Sequence, residues 1–114
     1  WSATSDLTAP LRMDSAADIA QAHVLRGAMD IPGGQLVANP IPTDAQIPAE
    51  VLAPIIAQAQ NEADAQGVVG KDVTPFLLQR IFELTDGRSL EANIALVRNN
   101  ARLAAEIAKE LVKL

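Results

Sequence analysis

Three asparagines, Asn93, Asn99 and Asn100, stand in a stretch that otherwise reads as helix. Asparagine is a poor helix former because its amide competes for backbone hydrogen bonds, so something other than propensity accounts for them. Asn93 lies four residues after Ser89, which reads as a helix cap. Its amide therefore falls in the first turns, where one side chain can both donate and accept; the alternative is an amide bonded to a neighbouring loop backbone. Asn39 closes a short apolar run and precedes Pro40. It stands either where ligands gather, at the carboxyl end of a strand, or simply in a turn-forming Asn-Pro pair. Lys71 and Thr74 flank the start of a helix opened by Pro75. A helix N-terminus favours anions, and a nearby lysine would reinforce a phosphate there. Against this, Thr74 is explained as an N-cap ahead of a first-position proline, and a loop lysine is ordinarily just solvated. Asn99 and Asn100 read as structural, one facing solvent and the other tying the helix to a neighbour.

Little else in the chain is reactive. There is no cysteine and one histidine, His23, which reads as a partly exposed helix residue. No local group of His, Asp and Glu has ligand spacing. Net charge is −5 with no basic stripe, which argues against a nucleic acid polymer as partner. No apolar run approaches the length needed to span a bilayer, so no membrane partner is expected.

The elements that must position these residues are mostly helices. Ser15 and Asp18 resemble a capping box opening a helix to about Met29, with Ile19, Ala20, Val24 and Met29 on its apolar face. Residues 11–13 and 36–38 read as short strands, the second apolar on both faces and ended by Pro40 and Pro42. A further helix is expected from about Pro48 to Gln66, kinked or restarted at Pro54. The next runs from Pro75 to about Leu84, burying Phe76, Leu77, Ile81 and Leu84, and stops where Gly87 can take positive φ. The last runs from Leu90 to about Val112 with a core stripe of Leu90, Ile94, Val97, Ala101, Ala104, Ala108 and Leu111. Leu96, Leu103 and Ile107 widen that stripe. At 114 residues the chain amounts to one domain, a helix-rich α/β piece with two short strands.

Three motifs, in order, carry a family resemblance. They are Asp14-Ser15-x-x-Asp18-Ile19-Ala20; Gly33-Gly34 followed by Leu36-Val37-Ala38-Asn39-Pro40-Ile41-Pro42; and Gly70-Lys71-x-x-Thr74-Pro75-Phe76-Leu77-Leu78 continuing through Ser89-Leu90-x-x-Asn93 to Asn99-Asn100. Together they resemble the pseudouridine-5′-phosphate glycosidases, the indigoidine-synthase-A-like family. The resemblance implies that the chain is the C-terminal third of a three-layer α/β/α domain, beginning inside the catalytic domain. It also implies a homotrimer, while the lack of cysteine suits a cytoplasmic protein. The implied reaction converts pseudouridine 5′-phosphate and water, reversibly, to uracil and ribose 5-phosphate by cleaving a carbon–carbon glycosidic bond. The family groups for that step are an imine-forming lysine, a glutamate acid/base and a divalent metal, usually manganese, all expected upstream of this chain. None of Lys71, Lys109 or Lys113 matches the nucleophile's motif, so no catalytic residue and no metal ligand is assigned here. Asn93 is the leading substrate-binding residue, suited to a uracil edge or ribose hydroxyls, followed by Asn39, Lys71 and Thr74. The chain alone is expected to be inactive; the alternative is a non-catalytic remnant acting as an oligomerisation or interaction module.

Overall fold

The computed structural model describes residues 1–114 and contains four α-helices, one short 3-10 turn and no β-strand. Helix α1 (Ala16–Ala28) opens as its sequence requires: Ser15 Oγ accepts the Asp18 N–H at 3.1 Å and donates to Asp18 Oδ2 at 2.7 Å. Helix α2 (Ala49–Ala65) runs through Pro54 without a break. The hydrogen bond that proline cannot make would have gone to the carbonyl of Glu50, four residues back. Both residues are exposed, so water can satisfy that carbonyl. A 3-10 turn at Gly70–Asp72 leads into α3 (Val73–Leu84), and α4 (Arg88–Lys113) follows after three residues.

Three helices end in the same backbone lock. After α2, the N–H of Gly67 bonds to the Asp64 carbonyl at 3.1 Å and that of Val68 to Ala63 at 3.0 Å. After α3, Asp86 bonds to Glu83 at 3.2 Å and Gly87 to Phe82 at 3.0 Å; after α1, Asp30 and Ile31 do the same with Gly27 and Arg26. This pairing requires a left-handed residue just past the helix. Gly67 supplies it at φ 68°, while Asp30 and Asp86 supply it at φ 54° and 50°. Gly87 then takes φ 82°, so the expected stop of α3 is made by two successive positive-φ residues.

Four expectations are corrected. Residues 11–13 and 36–38 form no strand, because a strand needs a neighbour for its N–H and C=O groups and none pairs with them here. Thr74 is not the cap of α3: the helix begins at Val73 after Asp72, and Pro75 sits third, where its missing donor would have been unpaired anyway. Ser89 is not the cap of α4 but its second residue, buried, with its N–H bonded to Thr85 Oγ1 at 3.1 Å. Lastly, α4 turns a different face inward. Ser89 and Ala92 are buried and Leu96, Leu103 and Ile107 half-buried, while Leu90, Ile94 and Val97 are exposed. Burying the small residues Ser89 and Ala92 turns Leu90, Ile94 and Val97 to solvent.

The chain divides into two compact units, one of residues 1–5 and 40–96, the other of residues 6–39 and 97–114. In the first, α2 packs against α3. Ile41, Ile47, Leu52, Ala59, Ile81 and Ala92 form its core, bordered by Trp1, Ile55, Leu77, Leu84 and Leu96. Phe76, Leu77, Ile81 and Leu84 take the inward positions expected of them in α3. The second unit buries Ala20 of α1 but leaves Leu25, Met29 and Leu36 exposed.

Candidate functional site

Asn93 projects from the second turn of α4 into a concavity of about 570 Å³ on the first unit. Its walls come from three places: Trp1 at the start of the chain, Leu78, Gln79 and Phe82 on α3, and Leu90 with Asn93 on α4. Phe82 lies one turn after Leu78, on the side of α3 opposite its buried residues. Both are therefore free to line a surface feature. No hydrogen bond within the chain occupies the Asn93 side chain.

The turn between α3 and α4 sets this geometry. Thr85 is buried, and its hydroxyl donates to the Ile81 carbonyl at 2.7 Å while accepting the Ser89 N–H at 3.1 Å. It thus caps α4 in the place expected of Ser89. The Trp1 indole N–H donates to the Ser89 carbonyl at 3.0 Å. Trp1 is itself held by Ile47, whose N–H bonds to the Trp1 carbonyl at 3.0 Å.

Arg80 clamps α3 to α2. Its Nε and Nη2 donate to the two carboxylate oxygens of Glu62, the Nη2 bond at 3.1 Å, and its Nη1 donates to Glu83 at 2.9 Å. The hydrogen bonds from Arg80 and then Gln58 hold the Glu62 carboxyl below its ordinary 4.5. Those from Gln79 and then Arg80 do the same for Glu83. Bonds to Glu62 first, then Glu83, raise the guanidinium in turn.

The wall can bind and orient a small polar ligand through the Asn93 amide, with apolar and aromatic surface around it, and no carboxylate, imidazole or lysine side chain lines it. The other sequence-derived candidates lie elsewhere. Lys71 and Thr74 are exposed at the start of α3 and do not line the concavity. Asn39 belongs to the second unit, where its Nδ2 donates to Asn100 Oδ1 at 3.0 Å, so Asn100 ties α4 to a loop. No group of three His, Cys, Asp or Glu residues converges to hold a metal. Manganese does not fit any side-chain set in this chain. Trp1, Gln79 and Phe82 were not singled out from the sequence, although Trp1 is its one tryptophan.

The family described as indigoidine synthase A like protein matches residues 1–110. Among curated relatives, a pseudouridine-5′-phosphate glycosidase of Jannaschia sp. (strain CCS1) is 66% identical over 111 residues, covering 97% of this chain and 37% of the relative. That of Escherichia coli (strain K12) is 51% identical over 111 residues, covering 97% and 36%. Among solved structures, the prealnumycin C-glycosynthase AlnA in complex with ribulose 5-phosphate superposes with a TM-score of 0.86 at 26% identity. That match covers 96% of this chain and 36% of AlnA. The chain thus spans a little over a third of the length of these relatives. It belongs to the indigoidine synthase A like family.

Proposed function

We propose that this chain is part of a pseudouridine-5′-phosphate glycosidase, which converts pseudouridine 5′-phosphate and water, reversibly, to uracil and ribose 5-phosphate. The relatives' names support the activity, and the carrying observation on this segment is the Asn93 amide, unoccupied within the chain and set in an apolar, aromatic wall. Its part is recognition: Asn93 presents a donor and an acceptor to the uracil edge or to ribose hydroxyls. Asn39, and Lys71 with Thr74 at the start of α3, are proposed as further substrate contacts, the last two for phosphate. The complete protein is read as a cytoplasmic homotrimer with a three-layer α/β/α domain. The imine lysine, the acid/base and any manganese belong to the remainder of that domain, and no step on this chain passes through the metal. The exposed apolar side chains Leu78, Leu90 and Ile94 favour one second reading, an oligomerisation module without chemistry.

Chromatographic detection of uracil separates the two. The purified chain with pseudouridine 5′-phosphate and manganese is expected to release none. A full-length glycosidase carrying this chain as its matching segment is expected to turn over. Turnover by the chain alone would overturn the assignment of the reactive groups to the remainder, and an inactive but folded full-length protein would favour the oligomerisation module.

A further inference from the structure

The inference below rests on Asn93 as a ligand-contacting side chain. We infer that Trp1 is a positioning residue for Asn93, holding by its indole N–H the carbonyl from which the Asn93 turn of α4 hangs.

In an α-helix the carbonyl four residues back accepts the backbone N–H, so the Ser89 carbonyl is the acceptor for Asn93. A carbonyl oxygen has two lone pairs, and the second is taken by Trp1 Nε1 at 3.0 Å. The N–H of Ser89 is meanwhile held by Thr85 Oγ1 at 3.1 Å. Polar groups on both sides of this residue are therefore fixed from outside the helix, one turn before Asn93. First turns ordinarily fray because their N–H groups lack intrahelical partners. Here the fraying end carries the amide that meets the ligand.

Trp1 can act as such an anchor only if it is itself fixed, and it is. Its carbonyl accepts the Ile47 N–H at 3.0 Å, and Ile47 is only 2% exposed. The next two residues continue the attachment: Ser2 Oγ donates to the Ile47 carbonyl at 2.6 Å, and the Ala3 N–H to Gln46 Oε1 at 3.0 Å. Trp1 thus links the loop of the core to the first turn of α4, while its ring forms part of the same concavity as Asn93. The ring and the N–H have separable roles, one lining the wall and one setting the direction of the amide.

The test is a double-mutant cycle in an active full-length glycosidase carrying this chain, using Trp1→Phe, Asn93→Ala and the pair, with kcat, KM and melting temperature read for each. Trp1→Phe keeps an aromatic ring and removes the donor. It is expected to lower kcat/KM about 3- to 10-fold, the effect of one net hydrogen bond, at nearly unchanged melting temperature. It should add little to Asn93→Ala. If Asn93→Ala impairs catalysis while Trp1→Phe is silent, or the two losses simply multiply, the positioning role fails and the reading of Asn93 stands. If Asn93→Ala is itself silent, both fall. Should Trp1→Phe fold poorly, benzothienylalanine at position 1 keeps the shape of the ring and lacks only the N–H. Wild-type kcat/KM with that replacement overturns the inference.

Discussion

Asn93 carries a cost that helix stability alone does not repay, and its side chain finds no partner inside the chain. Asn93→Ala in the full-length protein should therefore lower kcat/KM by an amount equivalent to about 0.5–1.5 kcal/mol. Its melting temperature should stay or rise slightly, as alanine is the better helix former. A fall in stability with unchanged kinetics would make Asn93 structural. Gly87 belongs to the same scale. A Cβ there would meet Phe82 Cε2 at 3.6 Å, ordinary contact, so space does not forbid a side chain. The backbone does: at φ 82°, Gly87→Ala should destabilise by about 1 kcal/mol, seen as a lower denaturant midpoint with an unchanged slope. An unchanged midpoint would mean that the turn relaxes to another conformation. The unusual asparagines and the positive-φ glycine were legible from residue type alone. Trp1 was not, because its role comes from a bond to Ser89, 88 residues away.

Among elements, the pairing of α2 with α3 has a pH dependence of definite sign. Glu62 and Glu83 both have carboxyl groups lowered below 4.5 in the folded chain. A lowered carboxyl stabilises the fold fully above its unfolded value, and that contribution is lost as pH falls through the folded value. Arg80 stays charged throughout this range. Helical circular dichroism followed downward from pH 6 should hold until about pH 4.5 and then decline. Glu62→Gln should flatten the decline, since glutamine has no proton to gain. An identical acid profile in the variant would place the acid sensitivity elsewhere. Helix α1 was readable from its Ser15 cap, and α2 and α3 from breakers and period. The inward face of α4 was not, since Leu90, Ile94 and Val97 form as good an apolar stripe as the one the structure buries.

At the scale of the whole molecule, both units leave large apolar side chains in water: Leu78 and Leu90 in the first are about half exposed, and Leu36 in the second is 97% exposed. The large side chains of the first unit's buried core are only Ile41, Ile47, Leu52 and Ile81. A core this small gives little margin over chain entropy. The isolated chain should be helical by far-UV circular dichroism yet bind hydrophobic dye or self-associate, and melt without a sharp transition. A cooperative melt from a clean monomer would contradict this. No helix is long and apolar enough to cross a membrane. The sequence by itself determined family membership and the positions of three helices, because these depend on residue type and short spacing. The tertiary structure decided that residues 36–38 are not a strand, that Thr85 rather than Ser89 caps α4, and that Trp1, Phe82 and Asn93 share one wall. Each of those depends on which distant group supplies a hydrogen-bond partner or a packing surface, and no local pattern encodes that choice.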